Sequence, residues 1–121
     1  MSKKELTRNE RRKRRHQRIR AKIFGTKTRP RVSIYKSLRH IYIQLIDDTK
    51  GETILGLSDK SLDNKSQKLP KMKRAVLLSK LVAEKAKKKG VKKVIFDRGG
   101  YPYKGIIKEI ANILRNEGLK F

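Results

Sequence analysis

Arg31-Val-Ser-Ile-Tyr-Lys-Ser-Leu-Arg-His-Ile-Tyr-Ile-Gln-Leu-Ile-Asp47 alternates apolar and polar residues on both sides of a four-residue interruption. Residues 31–36 and 41–47 therefore have the two-residue period of half-buried strands. The link Ser37–His40 is short enough to join them as a hairpin. The apolar positions of both strands then lie on one face of a sheet, which predicts that the folded domain begins here.

A third strand and a helical half follow the hairpin. Asp48-Thr-Lys-Gly51 is typical of a turn, and Glu52 to Leu57 is predicted to complete a three-stranded antiparallel meander. The segment Ser58 to Leu69 is polar and has no periodicity, so we expect it to be the least ordered internal segment. From Pro70 to Gly90 the apolar residues recur with a helical period, and Gly90 is the expected cap.

The last part of the chain predicts one more strand and one more helix. Lys93 to Asp97 contains three contiguous apolar residues, a pattern typical of a strand buried on both faces. Ile107, Ile110 and Leu114 lie on one helical stripe that ends at Gly118. The predicted fold class is α/β (α+β), with the order βββαβα on a mixed sheet.

The residues before the hairpin form a basic arm. The first 31 residues hold 14 lysines and arginines and two glutamates, a net charge of +12 within the +24 of the whole chain. Thr7 and Glu10 have the spacing of a capping box, so a helix is predicted to begin near Arg8 and to be closed by Gly25. Like charges four residues apart oppose a helix. We expect an arm over residues 1–28 that is frayed when free and ordered by phosphates, and a globular RNA-binding domain over residues 29–121.

Composition restricts the function classes. The charge favours a polyanionic partner. The chain has no cysteine and only two histidines, His16 and His40, so no metal site and no cofactor is predicted. It has no run of 18 apolar residues and no secretory signal pattern, so we expect a soluble, intracellular protein.

The segment Asp97-Arg-Gly-Gly-Tyr-Pro-Tyr-Lys-Gly105 connects a strand to a helix, which is where α/β sheets usually bind ligands. Its adjacent glycines allow another backbone to come close. Helix amides together with Arg98 and Lys104 would attract a phosphate. Tyr101 and Tyr103 would stack on bases or riboses. The segment lacks the ending of a nucleotide-binding P-loop, so nucleotide hydrolysis is not predicted.

A metal-dependent nuclease of the RNase H type is the enzymatic alternative, because the predicted order of elements is similar. That chemistry requires carboxylates that converge on two metal ions. Asp47, Asp48 and Asp97 close strands, but the first strand has no carboxylate. We therefore expect Asp47 and Asp48 to begin a turn. Asp97 is expected to pair with Arg98 or a nearby lysine, or to cap the loop amides.

Arg29–Asp48 and Val94–Gly105, together with the ending Gly118-Leu-Lys-Phe121, closely resemble the bacterial-type large-subunit ribosomal protein family eighteen. The resemblance covers nearly the whole chain, and the block Asp97-Arg-Gly-Gly-Tyr101 is specific to it. It implies a non-enzymatic protein that binds 5S rRNA and helps attach it to 23S rRNA in the central protuberance. Neighbouring large-subunit proteins, among them the family-five 5S-binding protein, would be partners, with no membrane and no small-molecule substrate. The implied location is a cytoplasmic ribosome, with an organellar ribosome left open.

The resemblance also implies which residues contact RNA. They lie in the arm, at the entry to the first strand, around the hairpin turn and in the glycine loop. The candidates are Arg8, Arg11, Arg12, Lys13, Arg14, Arg15, His16, Arg18, Arg20, Lys22, Lys27, Arg29, Arg31, Lys36, Ser37, Arg39, His40, Arg98, Gly99, Gly100, Tyr101, Tyr103 and Lys104. The competing binding hypothesis is a sequence-nonspecific RNA- or DNA-binding or annealing protein, for which the charge alone suffices.

Overall fold

The computed structural model describes residues 6–121, so Lys3 and Lys4 of the predicted arm lie outside the described residues. The elements are α1 (Arg8–Arg20), β1 (Arg31–Lys36), β2 (Ile41–Asp47), β3 (Glu52–Ser58), a short 3-10 helix (Asp59–Ser61), α2 (Asn64–Gln67), α3 (Lys71–Lys88), β4 (Ile95–Asp97) and α4 (Gly105–Asn116). The predicted α/β class and the order of its main elements are confirmed. Among the described helices, none combines the length and the apolar character needed to cross a membrane.

The four strands form one mixed sheet in the order β3-β2-β1-β4, with β4 parallel to β1 and the other pairs antiparallel. Val32 lies opposite Leu45, and Ile34 lies opposite Ile43, as the alternation predicted. These residues pack with the apolar stripes of α3 and α4 in a single core. On the other face of β1 and β2, Tyr35 and Gln44 are exposed and Ser33 and Tyr42 are half-buried.

The segment Ser58 to Leu69 is more regular than its sequence indicates. Asp59 is buried, and its carboxylate accepts hydrogen bonds from Arg74 and from the amide of Ile41, the latter at 3.4 Å. The Asp63 carboxylate accepts from the amide of Ser66 at 2.6 Å and caps α2. The prediction that this is the least ordered internal segment was wrong, because its order comes from polar contacts, which produce no apolar period in the sequence.

The strand predicted over Lys93–Asp97 is shorter and less buried than expected. β4 begins at Ile95, and both Ile95 and Phe96 are only half-buried. β4 lies at the edge of the sheet and pairs with β1 alone, so its apolar side chains are partly open to solvent. By contrast, α3 is followed by Gly90 with a φ of 79°, which confirms the predicted glycine cap.

The predicted capping box of α1 is confirmed, but its predicted end is wrong. Thr7 Oγ1 accepts from the amide of Glu10 at 3.1 Å, and Glu10 Oε2 accepts from the amide of Thr7 at 3.3 Å. The helix ends at Arg20, five residues before Gly25. A Cβ on Gly25 would lie 2.5 Å from the amide nitrogen of Arg31 and 2.6 Å from the carbonyl oxygen of Ile46. Gly25 is therefore required for close packing where the chain enters the sheet, not for capping.

Candidate nucleic-acid interface

Helix α1 lies against the domain through polar side chains. Arg12 Nη1 donates to the carbonyl oxygen of Gly99 at 2.9 Å, and Arg15 Nε donates to that of Gly100 at 2.9 Å. His16 Nε2 lies 3.1 Å from Asp97 Oδ2. Residues three and four apart share a helix face, so these three side chains form one docking surface. The opposite side of the helix is left to solvent.

The two glycines of the loop allow this docking. Gly100 has a φ of 79°, and a Cβ there would collide with the carbonyl oxygen of Arg12 and lie 3.1 Å from the amide nitrogen of His16. A Cβ on Gly99 would lie 2.6 Å from the carbonyl oxygen of Ile34. The backbones that approach the glycines therefore belong to the protein's own α1 and β1.

Two amides of the glycine loop are bonded within the loop. The amide of Gly99 donates to Asp97 Oδ1 at 2.8 Å, and the amide of Tyr101 donates to the carbonyl oxygen of Arg98 at 3.2 Å. These donors are satisfied within the loop. The predicted attraction of a phosphate by the amides at the start of α4, together with Arg98 and Lys104, stays a prediction.

A network of buried charges joins the arm to the sheet. Arg31 is only 7% exposed, and its Nη1 donates to Asp97 Oδ2 at 2.8 Å. Its Nε and Nη2 donate to the two carboxylate oxygens of Asp48 at 2.9 and 3.1 Å. Arg20 also contacts Asp48 at 3.4 Å, and the amide of Gly25 donates to it at 2.8 Å. Arg31 was predicted to contact RNA, but the structure places it in the interior as the link between two carboxylates.

The charges in this network shift each other's titration. The hydrogen bond from Arg31 is the main reason that the pKa of Asp48 falls from 3.8 to about 2, and the amide of Gly25 adds to the effect while burial opposes it. Burial disfavours the charge of Arg31, but its hydrogen bonds to Asp48 and Asp97 and their negative charges outweigh burial and raise the pKa of Arg31. Both groups stay ionised at neutral pH.

The three carboxylates considered for a nuclease, Asp47, Asp48 and Asp97, are all bonded to other groups of the protein. Asp97 does cap a loop amide as expected, but it pairs with Arg31 and His16, whereas Arg98 donates to the carbonyl oxygen of Tyr101 at 2.8 Å. Asp47 Oδ1 accepts from the amide of Thr49 at 2.9 Å, which confirms the predicted turn. A guanidinium group thus lies between Asp48 and Asp97, where a nuclease would need its metal ions.

The two loop tyrosines have different environments. Tyr101 is 8% exposed, and its hydroxyl donates to the carbonyl oxygen of Lys36 and accepts from its amide, both at 3.1 Å. The Arg12 guanidinium covers its ring at 4.8 Å. Tyr101 is therefore part of the scaffold and not a free stacking surface. Tyr103 is 44% exposed and packs edge-on against Phe96.

A cleft of about 560 Å³ lies between α1 and the glycine loop. Basic side chains dominate its lining, no acidic side chain of the described residues lines it, and a single tyrosine ring is half-exposed in it. The lining residues are Arg8, Asn9, Arg12, Arg15, Tyr35, Lys36, Tyr101, Pro102 and Lys104. Tyr35 is 50% exposed and was missed by the sequence-based prediction, as were Asn9 and Pro102. The alternation of β1 does place Tyr35 on the polar face, which is the feature that identifies it.

The hairpin turn that carries further candidates is firmly held. Ser37 Oγ accepts from the amide of His40 at 3.1 Å, and the His40 ring lies 3.2 Å from Asp59. Lys71 Nζ donates to the carbonyl oxygen of Ser37 at 2.6 Å, and burial, followed by repulsion from nearby cations, lowers its pKa. Arg74 donates to the carbonyl oxygen of Arg39 at 2.8 Å. The turn is thereby braced from α3, with the Arg39 side chain exposed.

Exposure divides the 23 candidates into three groups. The exposed group is Arg8, Arg11, Lys13, Arg14, Arg18, Lys22, Lys27, Arg29, Arg39, Tyr103 and Lys104. The half-buried group is Arg12, Arg15, His16, Arg20, Lys36, Ser37, His40 and Arg98. The buried group is Arg31, Gly99, Gly100 and Tyr101. The structure brings the arm and the loop together, and the exposed candidates within α1 form a basic surface on that helix, namely Arg8, Arg11, Lys13, Arg14 and Arg18.

Comparison with known proteins agrees with this arrangement. Residues 6–121 match the model of a family described as ribosomal L18 of archaea, bacteria, mitochondria and chloroplast. The chain is 50% identical to the large ribosomal subunit protein uL18 of Caldanaerobacter subterraneus subsp. tengcongensis, over 95% of this chain and 96% of that protein. It is 49% identical to the protein of the same name from Thermotoga neapolitana, with full coverage of both chains. The match extends through the docked arm, the sheet and both long helices, and the chain belongs to the ribosomal L18 family.

Proposed function

We propose that this protein is a constituent of the large ribosomal subunit that binds 5S rRNA and helps attach it to 23S rRNA in the central protuberance. Membership of the L18 family and the names of its relatives support the first part. The observation that carries the RNA-binding part is the basic cleft between α1 and the glycine loop, which continues onto the outer side of α1.

The cleft is suited to phosphates because its cations are already positioned. Arg12 and Arg15 are fixed by carbonyl oxygens of the loop, so little side-chain entropy is lost when a phosphate binds. Arg8, Lys36 and Lys104 add charge around the same opening. Phosphate contacts of this kind position a protein on RNA without reading its sequence.

Selection between RNAs then depends on shape. The outer side of α1, the hairpin turn and the cleft are held in a fixed arrangement by Asp97, Asp59 and their partners. Double-stranded RNA is recognised mainly by its backbone geometry, so a rigid set of charged surfaces favours one folded RNA over another. In this proposal Arg31, Gly99, Gly100 and Tyr101 support the interface from within.

The protein acts in this proposal by binding alone, with no catalytic step and no cofactor. Its partners are 5S rRNA, 23S rRNA and neighbouring proteins of the central protuberance, including the family-five 5S-binding protein. Its place of action is the ribosome.

Competition tests the proposal against nonspecific binding. The full chain is bound to labelled 5S rRNA at moderate salt and challenged with excess duplex DNA or with a folded RNA of equal length. We expect 5S rRNA to be retained against both competitors. Easy displacement by duplex DNA would support a sequence-nonspecific polyanion binder instead and overturn the proposal.

A matched pair of variants locates the binding surface. Arg8→Gln with Lys104→Gln removes two charges from the cleft, and Lys50→Gln with Lys60→Gln removes two exposed charges elsewhere. We expect the first pair to weaken 5S rRNA binding about 10-fold and the second to have little effect, because only the first removes cations that line the cleft. Equal effects would contradict the assignment of the cleft.

A further inference from the structure

Tyr35 differs from everything else in the cleft. Its ring is 50% exposed although neighbouring positions of β1 supply buried core residues. The other aromatic ring of the cleft, Tyr101, is buried and engaged through its hydroxyl. Tyr35 is thus the aromatic ring of the cleft that is open to a ligand.

The surroundings fix the position of this ring. Tyr42 on β2 lies directly opposite in the register, and the two ring centroids are 5.8 Å apart with a 42° tilt. The Arg12 guanidinium lies 5.9 Å from the centroid of Tyr35 and is itself held by the carbonyl oxygen of Gly99. A ring supported on two sides is pre-organised, which lowers the cost of placing a flat group against it.

The charges around Tyr35 indicate that a flat ligand bound there carries negative charge. Arg8, Lys36 and Lys104 line the same cleft, and no acidic side chain of the described residues does. A nucleotide has both a flat base and a negatively charged phosphate, so it matches an aromatic ring with cations around it. The volume of about 560 Å³ lies within the range of clefts that hold small organic groups.

We propose that the cleft is a subsite for one unpaired nucleotide, whose base stacks on Tyr35 while its phosphates contact Lys36, Lys104 and Arg8. This inference rests on the proposed RNA-binding function and deepens it. A paired base is already stacked within its duplex and cannot lie against the ring. The subsite therefore selects a folded RNA that has an extruded or single-stranded base close to the phosphates that contact α1.

The test uses the full chain and RNA hexamers with a central 2-aminopurine, whose fluorescence falls on stacking. One hexamer is single-stranded and the other is annealed to its complement. We expect quenching and tight binding of the single strand, and about 10-fold weaker binding by Tyr35→Leu, because base stacking contributes about 1–3 kcal/mol. Tyr35→Phe keeps the ring and should restore both affinity and quenching.

Two comparisons make the test specific. Phe24→Leu changes an aromatic residue that is 55% exposed and lies outside the cleft lining, and it should leave hexamer binding unchanged. Tyr35→Leu should leave duplex binding unchanged. The inference is overturned if Tyr35→Leu binds the single strand as tightly as the unaltered protein, or if it weakens duplex binding equally. It is also overturned if Tyr35→Phe fails to restore quenching.

This outcome is distinguishable from failure of the proposed function. If 5S rRNA resists competition by duplex DNA while Tyr35→Leu has no effect on the hexamer, the RNA-binding function stands and the nucleotide subsite is rejected. If 5S rRNA is displaced easily, the proposed function fails whatever the hexamer shows.

Discussion

Gly100 is a residue at which α1 packs closely against the domain. Its φ of 79° and the collision that a Cβ would make with the Arg12 carbonyl are both consequences of α1 lying flat on the loop. Gly90 has the same φ of 79°, but a Cβ there would meet no atom within 4 Å. Comparing a substitution at Gly100 with the same substitution at Gly90 therefore separates the effect of backbone strain from the effect of a clash with α1.

We predict that Gly100→Ala releases α1 from the domain and that Gly90→Ala does not. Both variants bear a positive-φ cost of about 1 kcal/mol, and only Gly100→Ala also collides with the helix. Amide hydrogen exchange of Arg8–Arg20 measures the release. Equal protection of these amides in the two variants would show that α1 does not depend on this contact.

Asp97 holds three separate groups from one buried position. It accepts from Arg31, lies against His16 and caps the amide of Gly99. Removing one partner of a buried ion pair leaves the other charge uncompensated. The sequence-based expectation identified the cap but not the distant partners, because Arg31 and His16 lie 66 and 81 residues away.

We predict that Asp97→Asn lowers the free energy of unfolding by about 2–3 kcal/mol, because Arg31 loses a buried anion but keeps Asp48. Urea unfolding followed by circular dichroism measures the change. Glu84→Gln is the control, since its pair with Lys88 is exposed and contributes less than about 1 kcal/mol. A loss from Asp97→Asn no greater than that from Glu84→Gln would contradict the buried network.

Among the elements, β1 and β2 are the best predicted, with both bounds matching those of the structure. Their alternation reflects burial on one side, and burial is what periodicity reports. The docking of α1 was not predicted, because Arg12 and Arg15 bind carbonyl oxygens, and such contacts produce no apolar stripe. Every residue from Arg8 to Arg18 is polar, so the helical spacing of Arg12, Arg15 and His16 does not stand out in the sequence.

We predict a pH dependence from the junction between α1 and β1. The pKa of Asp48 is depressed in the folded protein to about 2 from 3.8. A depressed acid contributes stability that is present above the unfolded pKa and is lost as pH falls through the folded pKa. Stability should therefore fall between about pH 4 and pH 2.

Urea midpoints over this range measure the effect, with Asp48→Asn as the comparison. The variant should be less stable at pH 6, and its curve should fall less steeply between pH 4 and pH 2, because it lacks the titrating group. Parallel curves for the two proteins would show that the Asp48 ion pair contributes nothing to the acid response.

In the molecule as a whole, the basic side chains have two roles. Arg12, Arg15 and Arg20 are bound to carbonyl oxygens or a carboxylate and hold the arm on the domain, and Arg31 links two carboxylates inside the domain. The outer arginines and lysines of α1 remain exposed to a partner. The net charge alone predicts a polyanion, but it does not distinguish these roles, because they depend on which groups the fold brings within hydrogen-bond distance.

The central claim is that this exposed basic surface binds RNA phosphates while α1 stays docked. Arg11, Arg14 and Arg18 represent it, and Lys50, Lys60 and Lys68 are exposed controls in the domain. If roughly eight phosphates are neutralised, log affinity for 5S rRNA falls against log salt with a slope of about −6 to −7. Changing the three arginines to glutamine should make the slope shallower by about 2 to 3, and the same change at the three lysines should leave it unaltered.

The most direct test is therefore the salt dependence of 5S rRNA binding for the unaltered chain and these two triple variants. We expect a steep slope that only the arginine variant reduces. A slope near zero for the unaltered chain, or equal slopes for both variants, would contradict it.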